Sequence, residues 1–137
     1  MYAMIDTGAT HTLITEKAIR STHHSKFIRT TLQQLYQADG YTPLPHLGLV
    51  ELTIQIRNIA TKILAFVVKR LCTDCLLGND YLKKYKVKID NGTNTVSIRL
   101  NNIETSIPME ETPASFRLPV TLVNHIYIPP HTHTSVK

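Results

Sequence analysis

The chain has 137 residues, the length of one domain, and 42% of them are apolar, enough to form a core. The formal net charge of +5 would suit an anionic partner, but the Lys and Arg residues are spread out, apart from a short cluster at 83–88. We therefore expect no nucleic acid as a partner and no membrane, because no apolar run is long enough to span one. Without a signal peptide, the sequence predicts a cytoplasmic protein.

The first half of the chain is dominated by predicted strands. Met1–Ile5 is a short apolar strand, and Thr12–Ile19 predicts a second strand that rolls into a helical turn. Two prolines and two glycines within residues 40–48 exclude a helix there. The alternating segment Leu49–Ile56 and the β-rich run Lys62–Val68 together predict a hairpin.

The second half continues in the same way. Asn79 is expected to cap a short helix, and Asn91-Gly92 predicts the tight turn of another hairpin. Residues 110–119 are linker-like, and one further strand precedes a polar end. We therefore predict a small all-β domain at 1–108 and a C-terminal extension at 109–137.

The cysteines and histidines offer only weak metal or redox signals. Cys72 and Cys75 form a single CxxC, which lacks two further zinc ligands and a thioredoxin-like context, so we interpret them as free thiols in a reducing cytosol. His131 and His133 have the spacing of a metal pair, but a polar tail is the simpler interpretation. His11 is either a subsite residue or a histidine at the solvent edge. We predict no metal and no cofactor.

The stretch MIDTGATHTLIT places Asp6 between two apolar runs. A carboxylate at the end of an apolar strand is costly unless it is hydrogen-bonded, paired or used in chemistry. An Asp-Thr-Gly triplet can also be an ordinary turn, and a triplet with Thr or Ser in the middle arises by chance about once in twenty chains of this length. The apolar residues before it and the Ala-Thr after it make this one more specific.

Two facing carboxylates would give such a site peptidase chemistry. At about 4 Å and an effective dielectric near 20 they repel by roughly 4 kcal/mol, so one stays protonated while the other ionises. The ionised one activates water and the protonated one polarises the peptide carbonyl. Thr7 can hydrogen-bond to a partner loop, Gly8 allows close approach of backbone amides, and Ala9 leaves room for substrate.

AMIDTGATHTLI, followed at a distance by LLGNDYL, resembles a retropepsin, the retroviral-type aspartic protease, and is most similar to those of gypsy-type LTR retrotransposons. The resemblance implies a closed β-barrel with one short helix after Gly78. It makes Asp6 the catalytic residue and places Leu76-Leu77-Gly78 beside it. It also implies a flap hairpin near residues 38–48. The expected flap and substrate-binding residues are Asp39, Gly40, Tyr41 and Leu44.

The sequence holds only one such triplet, so the dyad requires a homodimer with Asp6 contributed twice, and a two-lobed pepsin is excluded. Retropepsins carry a strand ahead of the catalytic one, so dimerisation is expected to use Asn101–Met109 or the tail, unless the chain begins late. The tail IYIPPHTHT resembles the segment that leads toward reverse transcriptase, which suggests an excised piece of a polyprotein.

The expected activity is aspartic endopeptidase cleavage of a retrotransposon polyprotein. The alternative is a retropepsin-like module that does not cleave and serves interaction or dimerisation. A cellular domain of the proteasome-shuttle type is a third possibility, but no ubiquitin-binding segment is recognised.

Overall fold

The computed structural model describes residues 1–20, 35–36, 40–112 and 115–123. They form eleven strands and two short helices. In chain order these are β1 Tyr2–Ile5, β2 Leu13–Thr15, α1 Glu16–Arg20, β3 Gly48–Ile56, β4 Ile59–Val68, β5 Cys75–Leu77, α2 Asn79–Lys84, β6 Lys88–Asp90, β7 Thr95–Leu100, β8 Ile103–Pro108, β9 Glu110–Thr112, β10 Ser115–Pro119 and β11 Thr121–Val123.

Eight strands form one sheet in the order β11-β3-β4-β2-β5-β1-β10-β9, and β6, β7 and β8 form a second sheet. The large sheet curves into a nearly closed barrel, so the predicted all-β class is confirmed. The predicted helix after Gly78 is α2, and the helical turn expected after β2 is α1. Among the described residues, no helix is long and apolar enough to cross a bilayer.

The strands pack around a main apolar core, and β3 shows why they do. Its burial alternates strictly along nine residues, so that Val50, Leu52, Ile54 and Ile56 face inward while the intervening side chains are partly exposed. A second, smaller apolar cluster lies apart from this core. Its buried members are Leu13, Leu35, Phe66, Val68 and Leu76.

Both predicted hairpins are present, with different turns. β3 and β4 pair up to Ile56 and Ile59, so the connection is only Arg57-Asn58 rather than five residues. β6 and β7 pair up to Asp90 and Thr95, which leaves a four-residue turn where a tight Asn91-Gly92 turn was predicted. That prediction is wrong because Asn94 takes the left-handed conformation, with φ of 53°, that closes the longer loop.

A third hairpin, β7–β8, was not predicted. Its two-residue turn is Asn101-Asn102, with φ of 53° and 65°. Asn is among the few residues that adopt this conformation readily, so the Asn pair was the available signal.

The linker-like description of residues 110–119 is also wrong. β10 pairs antiparallel with β1, with Met4 opposite Arg117, and β11 pairs with β3. Leu118 is almost fully buried in the main core. The segment therefore contributes to the core, although its Pro and Glu residues are typical of a linker. The boundary between residues 108 and 109 stays a prediction.

The two cysteines are free thiols in different environments, since Cys72 is exposed and Cys75 is buried. Burial raises the pKa of Cys75 to about 12. At pH 8 we expect iodoacetamide to add one label to the native protein, on Cys72, and two in guanidinium, measured by intact mass. Two labels at equal rates in the native protein would contradict the burial of Cys75.

The same shift makes a prediction about alkaline stability. The folded protein keeps the Cys75 thiol protonated above the ordinary thiol pKa of about 8.5, where an unfolded chain loses that proton. The contribution of this thiol to the free energy of unfolding is therefore complete below a pH of about 8.5. It is lost as the pH rises toward 12.

Candidate active site

Asp6 is the first residue after β1 and begins a tight loop. Its backbone N–H donates to the Leu77 carbonyl at 3.1 Å, and its Oδ1 accepts the Gly8 N–H at 2.9 Å. The side chain is partly exposed rather than sunk in apolar surroundings, because β1 ends at Ile5. Thr7 and Gly8 are exposed beside it, and Ala9 is partly buried.

The pairing of three strands explains where the loop lies. β5 runs between β1, to which it is parallel, and β2, to which it is antiparallel. The chain must therefore cross over the end of β5 as it passes from β1 to β2. Gly78 directly follows β5, and a Cβ placed there would lie 2.5 Å from the His11 carbonyl oxygen and 3.0 Å from that of Ala9. The structure thus brings Asp6, Ala9 and Gly78 together, as predicted from the motifs.

The start of α2 also holds the loop of Asp6, through two hydrogen bonds. The Asn79 N–H donates to the Ala9 carbonyl at 2.8 Å, and its side-chain amide donates to the Thr7 carbonyl at 2.8 Å. Asn79 was predicted to cap the helix, but Gly78 occupies the N-cap position and makes no side-chain capping bond. Asn79 instead fixes the loop that carries Asp6.

A buried threonine and an aspartate complete this support. The Thr12 N–H donates to Asp80 Oδ2 at 3.0 Å and its hydroxyl to Asp80 Oδ1 at 2.7 Å. The hydroxyl oxygen of Thr12 in turn accepts the Gly78 N–H at 3.3 Å. Neither residue is predicted from the sequence. The available signal was a threonine directly before an apolar strand, since Thr12 is fully buried and needs partners.

We expect Asp80→Ala to lower the free energy of unfolding by about 2–3 kcal/mol, because it leaves two buried Thr12 donors without an acceptor. Asp80→Asn keeps one acceptor oxygen and should cost about half as much. Urea denaturation measures both, with Asp74→Ala as the control at an exposed carboxylate. A loss for Asp80→Ala no larger than for the control would contradict this role.

The predicted flap lies partly within the described residues. Tyr36 and Pro43 form an antiparallel bridge, and the Leu44 N–H donates to the Leu35 carbonyl at 2.7 Å. Gly40 has φ of 79°, which suits a turn between the two arms. Tyr41 is the most exposed of the large apolar side chains, at 86%. Asp39 lies outside the described residues.

The base of this hairpin sits on the second apolar cluster. Leu44 and Ala9 both pack against the cluster, and they approach it from the hairpin and from the Asp6 loop respectively. The rings of His11 and His46 contact Phe66 edge-on, with centroids 5.2 and 4.8 Å away. His11 is therefore half-buried against this cluster. The role of the hairpin as a flap stays a prediction.

Comparison with known proteins agrees with this geometry. Residues 1–84 match the family model described as "gag-polyprotein putative aspartyl protease". The chain belongs to this family of retroviral-type aspartic proteases. The matched residues include the loop of Asp6, the hairpin base, β5 and α2.

The fold of this family member is also found in a solved structure. The retroviral protease-like domain of Ddi1 from Leishmania major superposes with a TM-score of 0.56 at 17% sequence identity. The match covers 77% of this chain and 79% of that one, and it confirms the retropepsin-like fold. No curated protein matches the chain.

Proposed function

We propose that the protein is an aspartic endopeptidase whose active site forms between two copies of the chain. The observation that carries this proposal is the loop Asp6-Thr7-Gly8, which is held by Gly78 and Asn79 with its carboxylate partly exposed. Because the sequence contains a single Asp-Thr-Gly triplet, the second carboxylate comes from Asp6 of another copy.

The proposed dyad works by acid–base catalysis on water. The ionised Asp6 takes a proton from water as its oxygen attacks the peptide carbonyl, while the protonated one donates a hydrogen bond to the carbonyl oxygen. Collapse of the tetrahedral intermediate breaks the C–N bond, and the dyad passes the proton taken from water to the leaving nitrogen, which returns the pair to one shared proton. Thr7 is exposed at the edge where the second loop would meet it, and Gly8 adds no side chain there.

The proposed substrate is an extended polypeptide, bound as a strand between the Asp6 loop and the segment that carries the Tyr36–Pro43 bridge. The family match to a gag-polyprotein protease and the gypsy-like motif support a retrotransposon polyprotein as the natural substrate. Ala9 and Leu44, which pack on the same apolar cluster, would flank the substrate from both sides.

Sedimentation equilibrium combined with a cleavage assay tests the proposal. We expect a dimer at the concentrations where peptide is cleaved, activity that falls on dilution below the dimer dissociation constant, and inhibition by a statine-type transition-state analogue. A protein that stays monomeric at high concentration and cleaves nothing would favour the non-cleaving interaction module instead.

A further inference from the structure

We propose that a basic cavity beside the Asp6 strand selects substrates with an acidic side chain within about four residues of the scissile bond. This inference rests on the proposed peptidase function and specifies its substrate class. It adds a charged position to the extended polypeptide that is proposed as the substrate.

The cavity has a volume of about 930 Å³ and an apolar floor with a charged rim. Met4 and Leu71 provide the apolar surface, and both also pack against the second apolar cluster. Four cationic side chains line the cavity, namely those of Lys17, Lys69, Arg70 and Arg117. An acidic side chain has an aliphatic stem for such a floor and a carboxylate for such a rim.

The sheet topology explains why these cations meet. β2 and β4 run parallel, with Thr15 opposite Val68, so Lys17 and Lys69 both follow the same end of the sheet. The Thr15 N–H donates to the Asp74 carbonyl at 3.0 Å, which fixes the loop that carries Arg70 to this end.

The fourth cation, Arg117, belongs to β10, which pairs with β1 on the edge opposite to β5. Arg117 on β10 lies directly opposite Met4. Four cations from three separate parts of the sequence thus surround one cavity, and no long basic segment signals it.

The positive charge of the cavity is only partly balanced. Asp74 is the single carboxylate among the lining residues, and Arg117 pairs with Glu110 at 2.9 Å. Within the part of the chain that the structure describes, Lys17, Lys69 and Arg70 have no carboxylate within 4.0 Å. Outside that part lie Asp39 and the side chain of Glu111.

The position of the cavity relative to Asp6 supports its proposed role as a substrate subsite. Met4 precedes Asp6 by two residues, so the two positions are about 7 Å apart along the chain. β5 pairs in parallel with β1 with Ala3 opposite Cys75, so the loop before β5 lies at the level of Tyr2, four residues before Asp6. A substrate that extends from Asp6 alongside β1 would therefore reach this cavity within about four residues of the scissile bond. Two-fold symmetry would place one such cavity on each side of that bond.

A single acidic residue fits better than a nucleic acid. The four lining cations surround one cavity next to the strand that leads into Asp6, whereas nucleic-acid binding needs a stripe of charge.

A peptide library with equal Asp, Glu, Asn and Gln content at every position tests the proposal. We expect cleavage sites enriched in Asp and Glu at one fixed position on either side of the cut, identified by mass spectrometry. A matched pair of fluorogenic peptides with Glu or Gln at that position should differ about tenfold in kcat/KM at low salt, and less at high salt.

The double variant Lys69→Glu/Arg70→Glu should abolish or reverse this preference. Lys83→Glu/Lys86→Glu makes the same change in net charge at exposed residues that do not line the cavity, and should keep the preference. Equal enrichment of acids and amides, or a preference that both double variants keep, would overturn the proposal and leave the peptidase function intact.

If no peptide is cleaved, the proposed function itself fails. Binding of the Glu and Gln peptides to the Asp6→Asn variant, measured by fluorescence anisotropy, then tests the acidic preference of the cavity separately. At least fivefold tighter binding of the Glu peptide supports the acidic preference, and equal affinities overturn it.

Discussion

Replacing Asp6 by Asn is expected to lower kcat/KM for any cleaved peptide by at least about 10³-fold, with the fold unchanged. Asn can neither take a proton from water nor share one with a facing carboxylate, and general acid–base catalysis contributes about 10²–10⁴-fold. Its Oδ1 can still accept the Gly8 N–H, which now lies 2.9 Å from Asp6 Oδ1. The unfolding midpoint should therefore stay close to that of the wild type.

The chain contains a matched control for this substitution. Asp90 begins an Asp-x-Gly turn in which its Oδ1 accepts the Gly92 N–H, also at 2.9 Å. Asp90→Asn therefore removes one charge from the same local geometry at a turn far along the chain from the triplet. We expect full activity for this variant. Equal losses for Asp6→Asn and Asp90→Asn would show that the Asp6 charge has no special role.

Mixing the wild type with the Asp6→Asn variant separates a shared site from two independent sites. If each active site needs both copies of Asp6, an equal mixture that exchanges subunits keeps active dimers at about a quarter of the total. Independent sites would keep about half of the activity. Retention of half the activity after complete exchange would contradict the shared dyad.

Much of the fold was predictable because its main signal is local. The alternation in β3 and the apolar run of β4 report burial directly, and Asp6 stands out within an apolar stretch of the sequence. The segment at 110–119 was misinterpreted because its burial comes from pairing with β1, more than a hundred residues away. A pattern that depends on such a distant partner cannot be recognised from the segment alone.

The residues of the site also fall into those that local motifs predict and those that only the fold brings together. Asp6, Gly8 and Gly78 lie in recognisable motifs, whereas the Thr12–Asp80 pair joins residues 68 positions apart, and either one alone has an ordinary surface explanation. Asn79 was predicted to cap α2 because asparagine is common at the start of a helix, whereas its side chain donates to the Thr7 carbonyl. The support of the loop therefore became visible only in three dimensions.

Gly78→Ala is expected to have the largest effect on stability, a loss of about 3 kcal/mol or more in the free energy of unfolding. The reason is space and not backbone conformation, since Gly78 has φ of −92° and ψ of −173°, which alanine adopts freely. Its Cβ would lie 2.5 Å from the His11 carbonyl oxygen, a backbone atom that cannot move aside alone. Overpacking of this kind costs typically 1–3 kcal/mol and occasionally more.

The same substitution should also reduce peptide cleavage, because the backbone that must move belongs to the loop of Asp6. The clash includes the Ala9 carbonyl at 3.0 Å, which is also the acceptor for the Asn79 N–H. Gly92→Ala is the control, since its Cβ would meet only the end of the Asp90 side chain at 3.3 Å. Urea denaturation and kcat/KM measure both variants. A Gly78→Ala protein as stable and active as Gly92→Ala would mean that the loop does not cross the end of β5 this closely.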